Sequence, residues 1–172
     1  MDVVHDLQDN PEADPLSFAR NIALRQLSMA PKSRKQLEDK MKTKGVPEDI
    51  TAQVLDRFTE IGLVNDLEFA RMLVRARCAS KKISRNSLKY ELRQKGIAQN
   101  FIDEVLEDVT DEDEYTMASD LVAKKLRSMS SLEPDVRKRR LSGLLARKGY
   151  SSSVVMRVLR DAHEEIEYAE SL

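Results

Sequence analysis

The chain has little that would break a helix. Its 172 residues include only 5 Gly and 5 Pro, so flexible linkers and long irregular loops are excluded over most of its length. Tryptophan is absent and aromatic residues make up 5%. That disfavours a module that reads single-stranded nucleic acid by stacking bases on an aromatic platform. The single cysteine, Cys78, rules out an internal disulfide and a Cys-rich zinc cluster. The two histidines, His5 and His163, stand near opposite ends, so no imidazole pair is available to a metal. No apolar run reaches the roughly 18 residues of a membrane span, and no Gly-rich phosphate loop occurs. We therefore nominate no catalytic residue, no cofactor-binding residue and no metal ligand, and expect a protein that is not an enzyme. The opening stretch MDVVHDLQDNPEADP carries five acids and no base. It lacks the basic start and apolar stretch of a secretory signal, and residues 1–13 are read as a flexible acidic arm. A lone cysteine without a span or signal suits the cytoplasm.

What remains favours helices. Leu, Ala, Arg, Lys, Glu and Met dominate, all strong helix formers. Charged residues are 34% of the chain, above the usual quarter, which implies extended solvent-facing surface. The fold class expected is all-α.

One ending is written three times: KMKTKGV at 40–46, ELRQKGI at 91–97 and LLARKGY at 144–150. The three glycines, Gly45, Gly96 and Gly149, are 51 and 53 residues apart, and on those offsets the flanking segments align without gaps. Leu37, Leu88 and Leu141 coincide, as do Met41, Leu92 and Leu145, and then Val46, Ile97 and Tyr150. Val54, Val105 and Val158 follow, beside Leu55, Leu106 and Leu159. A period of about 50 residues is the mark of a repeat architecture.

Each repeat reads as three helices. In the first, Asp14 caps a helix over 15–29 with Pro15 at its first position. Ser33 and Gln36 form a capping box for the second helix, which Gly45 closes. Ile50, Val54, Leu55, Phe58 and Ile61 mark the third at helical spacing, and Gly62 ends it. In the second repeat Asn65 is the first cap, with Glu68 as its box partner and Phe69, Leu73 and Ala76 as the apolar face. Ser84 opens its second helix, and Phe101, Ile102, Val105, Leu106 and Val109 form its third. In the third repeat Thr110 caps a helix over about 111–127, followed by helices over about 136–148 and from Ser152 to near 168. The segments expected are 14–62, 63–109 and 110–168, with a short tail at 169–172. Three short helices hide little surface alone, so stacked repeats forming an elongated curved rod are the natural architecture.

The near-neutral total, −1, conceals segregation. The second helix of each repeat is basic: net +4 over 32–44, +5 over 81–95 and +6 over 137–148. Residues 99–114 instead carry eight acids and no base. The run Asp111 to Glu114 is read as the favourable placement of acids at a helix N-terminus. Arg85, Lys89 and Arg93 recur every four residues and make a stripe suited to a phosphate backbone or an acidic protein groove. Tyr90 falls on the face opposite Leu88 and Leu92. The candidate partner-binding residues are Arg34, Lys35, Arg71, Arg75, Arg85, Lys89, Tyr90, Arg93, Lys95, Arg137, Lys138, Arg139 and Arg140.

Residues 62–97, GLVNDLEFARMLVRARCASKKISRNSLKYELRQKGI, resemble the RecX family of bacterial recombination regulators. Asp66, Phe69-Ala70-Arg71 and the Glu91-to-Gly96 stretch carry the likeness most specifically. SRKQLEDKMKTKGVPEDI and LLARKGYSSSVVMRVL are similar to the flanking repeats. In this chain Ser84-Arg85 and Asn86-Ser87 stand where family members often carry Gly-Pro and consecutive Arg. The resemblance implies three tandem three-helix units and a monomer that lies in the groove of the RecA filament on single-stranded DNA. It also implies inhibition of strand exchange and ATP turnover, in DNA repair and the SOS response. The residues alone leave two other readings open: a stand-alone DNA-binding protein that uses its basic second helices, and a helical-repeat adaptor for another protein; beside the RecA filament, weak direct DNA binding is also expected.

Overall fold

The computed structural model describes residues 14–170, so the acidic arm expected at 1–13 lies outside the described residues. All described secondary structure is helical: α1 (Pro15–Met29), α2 (Arg34–Thr43), α3 (Glu48–Glu60), α4 (Asp66–Lys81), α5 (Arg85–Gln94), α6 (Gln99–Glu107), α7 (Asp111–Leu126), α8 (Pro134–Arg147) and α9 (Ser152–Glu170). This is an all-α repeat fold with α1–α3, α4–α6 and α7–α9 as its three-helix sets.

Local chemistry explains the boundaries. The Asp14 carboxylate accepts the Ser17 N–H at 3.0 Å, with Pro15 in the first turn of α1. Ser33 and Gln36 exchange side-chain and backbone hydrogen bonds at the start of α2. Thr110 and Asp113 do the same for α7. Asn65 Oδ1 accepts the Glu68 N–H at 3.0 Å and opens α4. Such caps are each worth about 1 kcal/mol. Gly45, Gly96 and Gly149 follow α2, α5 and α8 in the left-handed region, at φ +78°, +73° and +83°, where a side chain would strain the backbone.

Two compact units divide the chain. One runs through Arg71 and includes Leu92–Phe101, and the other comprises Met72–Glu91 and the chain from Ile102 onward. The divisions fall inside α4, inside α5 and inside α6, so each helix of the middle repeat gives one end to each unit. In the first unit α1 packs on α2 and α3, around Ala19, Ala23, Leu37, Met41, Val54, Leu55 and Phe58. In the second, α7, α8 and α9 pack on one another, around Met117, Ala118, Val122, Leu141, Leu145 and Val158. Tyr115 of α7 donates its phenol O–H to Asp161 of α9 at 2.8 Å. The Arg157 guanidinium covers the Tyr115 ring at 3.8 Å and pairs with Glu112 at 3.1 Å.

The sequence placed the apolar faces of α3 and α4 slightly wrongly. Ile61 follows the last turn of α3 and is 50% exposed. The face of α4 is turned as well. Phe69 and Leu73 are buried, but Ala76 is exposed, and Ala70 and Val74 are buried in its place. The helix turns about 100° per residue, so the face that meets the core is set by its neighbours and not by the most apolar triplet.

Candidate nucleic-acid interface

The first turns of the basic helices α2 and α5 form joints within the fold. Ser33 and Ser84, at equivalent places before α2 and α5, are both fully buried. Ser33 Oγ–H donates to the carbonyl of Lys95 at 2.7 Å. One repeat later, the Ser84 N–H and the Ser87 Oγ–H both donate to the carbonyl of Lys148, at 3.2 Å and 3.0 Å. The carbonyl accepting these bonds is each time that of the Lys in the Lys-Gly ending of the following repeat.

The next residue completes the joint. The Arg34 N–H donates to Asp66 Oδ1 at 2.8 Å, and the Arg85 N–H donates to Glu114 Oε1 at 2.9 Å. Both carboxylates come from the first helix of the following repeat. The Arg34 guanidinium also pairs with Asp56 at 2.7 Å and Glu38 at 3.1 Å. That of Arg85 pairs with Glu114 at 3.1 Å and with Asp111. Burial pushes the Asp66 carboxyl up, against the pull of the Arg34 N–H and charge. A Cβ on Gly96 would stand 2.4 Å from Lys35 Cβ, and one on Gly149 would stand 2.3 Å from Ser87 Oγ. On Gly45 it would meet nothing within 4 Å. The glycines at 96 and 149 therefore serve a close approach between repeats as well as the turn.

The other nominated residues divide by whether a partner already holds them. Lys35 pairs with Asp39 at 2.6 Å, Arg71 with Glu68 at 2.5 Å, and Lys89 only loosely with Asp103 at 3.9 Å. Arg93 donates from Nη2 to Gln99 at 2.9 Å. Lys95 is half-buried at the joint, where its carbonyl receives Ser33. Arg75 is exposed. Tyr90 is 67% exposed, as its place opposite Leu88 and Leu92 predicted. Arg137 is half-buried beside Leu141, whereas Lys138, Arg139 and Arg140 are exposed. Among the described residues no carboxylate lies within ion-pair distance of those last four cations on α8.

The acids in the run Asp111 to Glu114 do more than favour the positive end of α7. Asp111 and Glu114 hold Arg85, Asp113 closes the capping box, and Glu112 holds Arg157. Hydrogen bonds from the Thr110 hydroxyl and N–H keep the Asp113 carboxyl below its ordinary value. Glu114 is the residue sequence reasoning missed. It is 8% exposed, and its signal was the arginine it meets, 29 residues earlier. Cys78 is half-buried, and burial pushes its thiol up, which makes it a poor nucleophile. Among the described residues no group of His, Cys, Asp or Glu is arranged to hold a metal ion.

Comparison with known proteins matches this geometry repeat by repeat. The model of the RecX first three-helix domain matches residues 19–58, that of the second matches 65–106, and that of the third matches 111–159. The chain belongs to the RecX family. It is 44% identical over 155 residues to the regulatory protein RecX of Streptomyces lividans, covering 90% of this chain and 82% of that one. It is 39% identical over 145 residues to RecX of Mycolicibacterium smegmatis, covering 82% and 77%. The crystal structure of RecX from Lactobacillus salivarius superposes with a TM-score of 0.76 at 25% identity, over 87% of this chain and 97% of that one. A second crystal structure of a regulatory protein RecX gives 0.74 at 27% identity. RecX membership makes this chain one of a family of regulatory proteins, a name that recombination regulation fits.

Proposed function

We propose that this RecX-family chain regulates homologous recombination by lying in the groove of the RecA–DNA filament, where it inhibits strand exchange and ATP turnover without catalysing a reaction of its own. The observation that carries the reading is the match of all three repeats to the three RecX domains in order. The free cations of α8 support a surface turned toward a polyanion. Among the described residues no helix is long and apolar enough to cross a membrane, and the proposed setting is the cytoplasm, with the protein acting as a monomer. The test is RecA-promoted strand exchange and DNA-dependent ATP hydrolysis, measured at substoichiometric and stoichiometric additions of the protein. Both should fall as it is added, and an unchanged rate in both assays would sink the reading.

A second reading, a stand-alone DNA-binding protein, has one observation in its favour: among the described residues the cations of α8 have no ion-pair partner. Titration onto DNA without RecA separates the two. Tight and sequence-selective binding supports the second, and weak binding that RecA strengthens supports the first.

A further inference from the structure

The outward face of α8 differs from the leading halves of α2 and α5. Helical geometry puts residues three and four apart on one face. Arg139 and Arg140 therefore share a stripe with Gly143, Ala146 and Arg147, while Leu141 and Leu145 face the core at 3% and 0% exposure. Arg139, Arg140 and Arg147 are all exposed, and among the described residues none of them has an ion-pair partner. Asp135, one turn before Arg139, does not pair with it either. On α2 and α5, by contrast, the leading arginine is held by carboxylates and Lys35 and Lys89 face Asp39 and Asp103.

Gly143 sits in the middle of this stripe. A glycine inside a helix is destabilising relative to alanine, and the turn conformation that explains Gly45 or Gly149 does not apply here, because Gly143 lies within α8 and has no left-handed backbone. A Cβ at this position would stand 3.3 Å from Arg147 Nη1. The absent side chain leaves a shallow place in the helix surface beside the Arg147 guanidinium, on the same stripe as Arg139 and Arg140.

We propose that this face, Arg139, Arg140 and Arg147 around Gly143, is the seat of a nucleic-acid phosphodiester backbone, with Gly143 letting the strand approach the helix closely. This deepens the function proposed above and rests on it for the setting, but not for the contact. Guanidinium groups match phosphate in a planar, two-point geometry. An acidic protein is the weaker occupant, because protein interfaces centre on buried aromatic or large apolar anchors. The exposed large apolar residues of the described chain are Leu24, Met29, Ile61, Leu63, Tyr90 and Met156, and none lies on this face.

The test uses the full chain and a fluorescein-labelled oligothymidine, with anisotropy titrations at several salt concentrations and no RecA. Phosphate contacts set the slope of log affinity against log salt, at about 0.7 per contact on single strands. The triple variant R139A/R140A/R147A should lose about 2 from that slope. A matched variant, R20A/R25A/K42A, removes three exposed cations elsewhere and should keep it. Gly143→Ala should raise the melting temperature and weaken DNA binding, a pairing that loss of fold does not produce. Equal slope changes in the two triple variants would overturn the proposal, as would undiminished binding by Gly143→Ala. So would capture of a polyglutamate peptide as tight as that of DNA through the same arginines, which would make the occupant an acidic protein surface. If α8 binds DNA as stated while the wild-type chain leaves strand exchange and ATP turnover unchanged, the contact stands and the proposed function falls. If the reverse holds, the function stands and the contact falls.

Discussion

Alanine at Gly45 and alanine at Gly96 separate the two roles of the Lys-Gly ending. Both glycines belong to the same compact unit, and both have nearly the same backbone, φ +78° and +73°. The left-handed strain of a side chain, roughly 1–2 kcal/mol, is therefore common to both. Their surroundings differ. A Cβ at 45 meets nothing within 4 Å, whereas one at 96 stands 2.4 Å from Lys35 Cβ and 2.6 Å from Lys35 Cγ. Lys35 Cβ is fixed to the α2 backbone and cannot swing aside. The joint must open, which adds an overpacking penalty of about 1–3 kcal/mol and puts the Ser33-to-Lys95 hydrogen bond at risk. Gly96→Ala should thus cost about 1–3 kcal/mol more than Gly45→Ala. At a urea slope near 2 kcal/mol/M that is an extra midpoint shift of about 0.5–1.5 M. Urea unfolding followed by circular dichroism reads the difference. A second arm tests the cause: Lys35→Gly removes the obstructing atoms, so K35G/G96A should be more stable than the two single changes predict. Equal midpoints for Gly45→Ala and Gly96→Ala, or strict additivity in the pair, would refute the close-approach argument.

Two further outcomes follow from the second joint and from the caps. Glu114→Ala strips Arg85 of a backbone and a guanidinium partner and should destabilise the second unit by about 1–3 kcal/mol, discounted because Arg85 remains 37% exposed. Glu114→Gln, which can still accept the Arg85 N–H, should be milder in the same thermal melt. The Asp113 carboxyl is held below its ordinary value by Thr110, so its contribution to stability is complete above that ordinary value, 3.8, and is lost as pH falls through the lowered one. A carboxyl NMR titration should place Asp113 below 3.8, and Thr110→Ala should move it back up. No movement in that variant would discard the cap as the cause.

The sequence by itself determined the helices, because their signals are local. Asp14, Ser33, Asn65 and Thr110 each cap the helix that follows them from within three residues, and the apolar period needs no distant partner to be read. The 51-residue register of Gly45 and Gly96 likewise exposes the repeat. Which cations are free was not legible, because pairing depends on residues far apart in the chain. Arg85 looked like the head of a binding stripe, yet Glu114 and Asp111 hold it from α7. Arg139 and Arg140 looked no different, and among the described residues they keep no carboxylate. Only the tertiary structure could tell these arginines apart, since a charge is available to a partner only where the fold has not already brought an opposite charge within reach.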